Sequence, residues 1–412
     1  MQQRPVSNGT VALTAAAVVL LAVTMGSRSV FGLFLSPLNS ATGLGVATIS
    51  FAVAFSQLTW GAAQPFCGTL AERYGPARVI FAGTLLSAIT VALIPFAHDA
   101  ALLLAVFAAA GIAATAGSPS LLIGTVSQRI PEHRRGLVAG IIGAGGPLGQ
   151  LLLAPAAQIM IAVSGWMNAM LAVAALSLAA LPLAFAFRRT PSAESATPVR
   201  PVGNVRDVLA NPRYWVINAT FFVCGLHVFF LVTHLPGAIE LCGLPAAVSG
   251  VSLAVLGLFN IVGSIVAGFV VQRYSMKRTL AVLFAARAVA IGLFLFAPKN
   301  ELTVLAFSAW MGLTYMAVLP PTAGLVGRLS GAERLPTLLG ITFVVHQAGA
   351  FLGSWLGGVV LEATGSYDRM WMLDLALAGV AAVVAGCIRE GAPATTAAPG
   401  ARPRTPRLVP QT

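Results

Sequence analysis

Long apolar runs separated by short polar punctuation set the pattern of this 412-residue chain. A helix that crosses a bilayer needs roughly 20 consecutive apolar residues. Read with a window of about 19 residues, the chain gives such runs over 11–35, 47–71, 77–97, 100–127, 136–162 and 166–187, then over 214–236, 246–272, 279–297, 301–327, 336–362 and 370–388. The pattern predicts an all-α integral membrane protein of twelve transmembrane helices. The long polar interruption at 188–213 contains RRTPSAESATPVRPVGNVRD, rich in Pro, Ser, Thr and charge. Such a stretch buries no core and is expected to be a linker. It divides a six-helix bundle over 11–187 from a second over 214–388, between a short N-terminal segment (1–10) and a polar tail (389–412) expected to be disordered.

Composition agrees with this layout. Hydrophobic residues make up 58% of the chain and charged residues 9%, against roughly 25% charged in a globular domain, which excludes an ordinary soluble enzyme. The net charge of +12 forms no continuous stripe, so nucleic acid is not an expected partner. The basic residues instead report orientation. With helices alternating in direction, Lys299 and Arg369 fall on one side, Arg28 and Arg287 fall within spans, and every other Lys and Arg falls on the side of the two termini. The positive-inside rule then places both termini in the cytoplasm of a cell whose inner (plasma) membrane holds the protein. Cys67, Cys224, Cys242 and Cys387 stand singly, without metal-ligand spacing. No catalytic motif and no Walker loop is present, so neither an enzyme nor an ATP-driven pump is expected, and no cofactor or metal.

The two halves carry an internal repeat. GTLAERYGPAR (Gly68 to Arg78) and GFVVQRYSMKR (Gly268 to Arg278) share Gly68/Gly268, Arg73/Arg273, Tyr74/Tyr274 and Arg78/Arg278 at an offset of 200 positions. Gly140 and Gly340 share that offset, and Gly111 and Pro119 recur 201 positions on as Gly312 and Pro320. A duplicated unit with an even number of helices keeps its topology, so the copies are related by an axis along the membrane normal and enclose a central cavity.

The Gly68 to Arg78 loop resembles the signature G-x-L-A-D-R-x-G-R-K of the major facilitator superfamily, with Glu72 in place of Asp, Gly75 matching, Pro76 and Ala77 at two usually basic positions, and Arg78 following. SRSVFGLFLSPL around Arg28, RRGLVAGIIGAGGPLGQ in the fifth helix and HQAGAFLGSWLGG in the eleventh are similar to the monocarboxylate and oxalate/formate branch. The resemblance implies the major facilitator fold, alternating access, organic-anion substrates, and gating by Gly68, Glu72, Arg73, Gly75, Arg78 and their repeats Gly268, Arg273 and Arg278. It also implies that first-helix residues line the cavity, and that an eleventh-helix position holding Lys in oxalate-transporting relatives has His346 here.

The polar residues inside spans are the candidate chemistry. An Arg at the centre of a span is expensive, roughly 2.5–3.5 kcal/mol on insertion scales, so Arg28 and Arg287 require compensation. The twelve acidic residues lie in loops or near the predicted ends of spans, and the expectation is that no acid reaches mid-membrane depth. A substrate carboxylate would then supply the missing charge, gripped by guanidinium through parallel hydrogen bonds. For Arg28 the alternative is a guanidinium bonded to the carbonyls of a broken helix, and for Arg287 a contact with neighbouring polar groups. His346, His227 and His234 are candidates to carry a proton, or are packed, satisfied histidines. Gln57, Gln64, Asn260 and Tyr315 either line the cavity or link helices.

Together these readings predict a secondary transporter of a small organic anion, most simply a monocarboxylate, driven by proton symport or anion exchange. Arg28, His346, Asn260, Gln57, Gln64, His227, Tyr315 and Arg287 form the candidate binding set. The competing readings are an efflux facilitator of the same fold and a polytopic ligand sensor without flux.

Overall fold

The computed structural model describes residues 8–188, 205–330 and 334–390. Twelve helices in it are long and apolar enough to cross a membrane: Gly9–Thr42, Val46–Tyr74, Pro76–Phe96, Ala100–Ser127, Arg134–Ser164, Trp166–Phe187, Pro212–Leu241, Ala246–Arg273, Met276–Phe296, Glu301–Ser330, Thr337–Thr364 and Asp368–Cys387, numbered here as spans one to twelve. Among the described residues there are no strands. All twelve predicted runs are present, and two extend well beyond their apolar stretch. Span one continues through Ser36, Pro37 and Asn39 as a helix that closes on Gly43 at φ 65°, and span seven runs through Pro236 to Leu241. Polarity marked those segments as loops, but their polar groups are used between the bundles, as described below. Most of the expected linker (189–204) and tail (391–412) lies outside the described residues. Of the linker, Val205–Leu209 is a short helix and Pro212 already opens span seven.

The repeat seen in the sequence is a repeat of packing. Span one lies against span five, and span seven against span eleven. A methyl group added to Gly149 would come within 2.0 Å of the Ala22 carbonyl oxygen, and one added to Gly349, 200 positions on, within 2.0 Å of the Phe222 carbonyl oxygen. Only glycine permits backbones that close. Spans four and ten are both broken by a 3-10 turn, at Thr115–Gly117 and at Met316–Val318, again 201 positions apart. At the signature loop, Gly75 links spans two and three at φ 89°, a left-handed conformation open to glycine, and Pro76 starts span three where it needs no amide donor. In the second copy Ser275 caps span nine instead.

The bundles meet along spans two and eleven, five and eight, and one and seven. Span one reaches span seven through its own 3-10 turn, where Gly32 sits on the Val232 and Thr233 carbonyls. At the end away from the Arg-rich loops the Glu240 carboxylate accepts from the Ser36 hydroxyl (3.1 Å) and Glu362 accepts from the Ala47 amide (2.9 Å). Phe51 packs edge-on against Phe351 and Trp355. Contact continues inward as far as Gly61 on Gln347, and as Gly257 on Pro147, Gln150 and Leu151. Beyond that level the same helix faces separate. Gly68 and Gly340, each two turns further along its face than Gly61 and Gln347, would meet nothing within 4 Å, and the same holds for Gly140 and Gly268 on spans five and eight. The bundles therefore diverge toward the Arg-rich end and leave a cleft between them.

Candidate site at the apex of the cleft

Arg28 lies at the last turn of a helical segment, Asn8–Ser29, immediately before the 3-10 break of span one. A cation is favoured there by the carbonyl-rich helix end. Its guanidinium donates to Gln57 Oε1 on span two (2.5 Å) and stacks on the Trp60 ring at 4.9 Å. Gln57, Trp60 and Gly61 fall on one face of span two, and Gly61 is where Gln347 of span eleven crosses from the other bundle. Arg28 thus sits beside the level at which the cleft closes. Arg28 Nη1, Trp60 Nε1, Gln347 Oε1 and Gln150 Nε2 are buried without hydrogen-bond partners. Among the described residues no carboxylate comes within 4.0 Å of Arg28. The apex therefore offers three unused donors, Arg28 Nη1, Trp60 Nε1 and Gln150 Nε2, and one unused acceptor, Gln347 Oε1, around a half-buried cation.

The other sequence candidates divide into three groups. Asn260 and Tyr315 serve the break in span ten: Asn260 Oδ1 accepts from the Met316 amide (3.2 Å) and from Ser264 (3.4 Å), and Tyr315 is nine-tenths buried beside it. Arg287 belongs to the same break. Its guanidinium donates to the Thr314 hydroxyl (3.2 Å) and to the carbonyls of Thr314 (2.5 Å) and Tyr315 (2.8 Å), inside the C-terminal bundle at 1% exposure. It caps the carbonyls of a broken helix, the arrangement weighed above for Arg28. Gln64 accepts from Ser120 and ties span two to span four, away from Arg28.

The three candidate histidines are on spans seven and eleven. His234 is fully committed: Nε2 bonds the Ser354 carbonyl (2.6 Å), which can only accept, so this nitrogen carries the proton and Nδ1 accepts from the Tyr367 hydroxyl (3.1 Å). His346 packs on Phe221 and Phe229 of span seven, with neither ring nitrogen bonded. The series His346, Gly349, Gly353 and Gly357 does form one face, as its spacing predicts, but that face meets span seven. The neighbouring residue, Gln347, is the one that reaches span two. His227 is fully buried with both nitrogens unbonded, and its Nε2 lies 3.9 Å from Asp374 Oδ1.

Asp374 corrects one expectation. It lies six residues into span twelve at 1% exposure, so an acid is embedded after all, and the cation that acts on it is Arg287. Its place near the end of an apolar run disguised it, because loop 366–367 folds over that end and Tyr367 is itself buried. Trp60, Gln150 and Gln347 were also missed. Trp60 precedes Gly61 and Gln347 follows the candidate His346 by one residue, and only the packing of span two on span eleven shows which of these face the cleft.

In the signature loops, Glu72, Arg73 and Arg78 are exposed and Arg73 stacks on Tyr74. Arg273 and Arg278 are likewise exposed. The second copy carries a latch: Glu390, just beyond span twelve, accepts from the Ser275 hydroxyl (2.8 Å), the Lys277 amide (2.6 Å) and Arg328 (2.9 Å). Partial burial pushes its carboxyl up, but the Lys277 amide, Ser275 and Arg328 outweigh that and hold it below the usual carboxylate range.

The family model described as Major Facilitator Superfamily matches residues 17–299 and 253–411. The chain is 25% identical to monocarboxylate transporter 13 of Rattus norvegicus, over 86% of this chain and 84% of that protein. It is 26% identical to the oxalate:formate antiporter of Oxalobacter formigenes, over 68% and 67%. Its fold matches a bacterial homologue of the human lysosomal transporter Spinster, solved in an inward-facing and occupied conformation, with a TM-score of 0.77 at 13% identity over 92% and 97% of the two chains. The similarity to the monocarboxylate and oxalate/formate branch drawn from Arg28, span five and span eleven agrees with these relatives. This multi-pass membrane protein belongs to the Major Facilitator Superfamily.

Proposed function

We propose that the protein is a secondary transporter of a small organic anion, a monocarboxylate, and that Arg28 binds its carboxylate. The observation that carries this reading is the state of Arg28 at the apex of the cleft: a cation with an unpaired Nη1, a Trp60 N–H free beside it, and no acid within 4.0 Å among the described residues. A carboxylate accepts both donors and neutralises the guanidinium. Gln57 orients Arg28, and Gln150 and Gln347 supply further polar contacts from each bundle. Asn260 and Tyr315 contribute indirectly, by fixing the break of span ten. The positive-inside rule assigns the Arg-rich end to the cytoplasm of the plasma membrane, so the cleft described here opens inward, and rocking about the closed outer half exposes Arg28 to the other side.

A panel of labelled lactate, pyruvate, acetate and formate in proteoliposomes tests the assignment. The intact protein accumulates at least one of them, and Arg28→Ala reduces that uptake about 100-fold, the loss of roughly 2.7 kcal/mol of binding, while remaining folded. Unimpaired uptake by Arg28→Ala refutes the role of Arg28. Export of hydrophobic compounds with no carboxylate flux supports the efflux reading instead.

A further inference from the structure

The C-terminal bundle contains a charged cluster that the cleft does not use. Arg287 on span nine, Asp374 on span twelve and His227 on span seven are each at 0–1% exposure. Spans nine and twelve make their main contacts with each other and with other members of the same bundle. Charged side chains in a membrane interior are expensive and are retained where they conduct or bind. The bland account is that Asp374 simply neutralises Arg287. Such a counter-charge takes the guanidinium fork directly, yet here the fork is spent on the Thr314 and Tyr315 carbonyls, and among the described residues no ion pair within 4.0 Å joins Arg287 to Asp374. Asp374 Oδ1, both nitrogens of His227 and Arg287 Nη1 are all left without hydrogen bonds inside the bundle.

We propose that Asp374 and His227, beside the fixed charge of Arg287, form a proton-binding site separate from the substrate cleft, and that its occupancy is coupled to bundle movement through span seven. The proposal rests on the transporter reading for the coupling but not for the site. A hydronium ion delivers one proton to the Asp374 carboxylate or to a His227 nitrogen and departs as water, raising the charge of the trio by one. Release to the opposite side reverses the step. The present separation of 3.9 Å is too long for a hydrogen bond, whereas a protonated imidazole holds a carboxylate at about 2.7–2.9 Å, so proton uptake draws the two side chains roughly 1 Å together. Span seven transmits the change, because five and six residues beyond His227 its Val232 and Thr233 carbonyls carry Gly32 of the other bundle. Arg287 from span nine is the charged group that acts on both members of the pair, and it acts also on Tyr315 of span ten and His346 of span eleven, while on span seven Cys224 and His234 lie one and two turns from His227. His234 and Tyr367 are bonded to each other, which takes both out of the exchange.

Infrared difference spectra of the full chain in liposomes between about pH 5 and pH 9, with no substrate added, test the site directly. The carbonyl band of a buried carboxylic acid should grow as pH falls, be absent from Asp374→Asn, move its midpoint by about one pH unit in His227→Gln, and persist in Glu390→Gln. A carboxyl band that does not titrate, or one retained in Asp374→Asn, overturns the site and leaves Asp374 as a fixed counter-charge. If Asp374→Asn fails to fold, the His227→Gln midpoint decides, and an unmoved midpoint overturns the proposal. For coupling, labelled lactate and pyruvate are the probes: Asp374→Asn should keep exchange of label across the membrane but lose at least tenfold in accumulation driven by a pH gradient. Undiminished accumulation overturns the coupling. Absence of carboxylate flux in the intact protein counts against the transporter reading, while the infrared titration still decides the site.

Discussion

The two bundles are built on one plan and handle charge in opposite ways. In both, a glycine fits span five or eleven onto its partner at the same repeat position, and in both a 3-10 turn breaks the fourth helix of the unit. The fully buried polar residues of the N-terminal bundle are hydroxyls and glutamines, and its membrane arginine stands at the cleft. The C-terminal bundle buries Arg287, Asp374, His227, His234 and His346 within itself. The break in span four is capped by the Ser118 hydroxyl, while that in span ten is held by Arg287 and Asn260. Duplication preserved the backbone and left the side chains free to differ: one half places its charge at the cleft, and the other buries charge within itself.

That contrast is most exposed at Arg287. Arg287→Ala leaves Asp374 without its neighbouring cation and two carbonyls without donors, and should destabilise the protein by about 3–5 kcal/mol, read as a lower unfolding midpoint in detergent. Ser87→Ala, at the matching position of the other bundle, should stay within about 0.5 kcal/mol. Equal effects would dissolve the distinction. The shared plan makes the next prediction: Gly149→Ala and Gly349→Ala should each cost about 1–3 kcal/mol by forcing apart packed backbones, whereas Gly140→Ala and Gly340→Ala, which meet open space, should leave the unfolding midpoint unchanged. Arg28→Lys keeps the cation but not the planar fork, and carboxylate uptake should fall about tenfold, between the intact protein and Arg28→Ala. The smallest effect belongs to the Glu390 latch. Glu390→Gln should cost about 1 kcal/mol at neutral pH. Because the folded carboxyl lies below its unfolded range, its stabilisation is present above the unfolded value and is lost as pH falls through the folded one. Intact protein and variant should therefore converge in acid.

Hydrophobic periodicity made the twelve spans, the split between bundles and the repeat legible, because a bilayer leaves few ways to satisfy a backbone. The ends of spans one and seven were harder to read, since Ser36 and Glu240 are polar residues engaged across the bundle interface rather than loop residues. Arg28, Gln57 and Asn260 could be picked out as polar groups in apolar runs. What they touch could not. Apolar flanks look alike on every face of a fully embedded helix, so the sequence did not distinguish Arg287, turned to carbonyls inside its bundle, from Arg28, turned to the cleft. The same limit made His346 the marked residue when Gln347, one position and about 100° away, makes the crossing.

The bare faces around Gly68, Gly140, Gly268 and Gly340 have a pharmacological consequence. On the proposed rocking motion, surfaces that stand apart in this state mate when the mouth shuts, and glycine gives them little tolerance for anything left between. A compound wedged there would jam the carrier from the Arg-rich side without resembling its cargo, and without competing for Arg28.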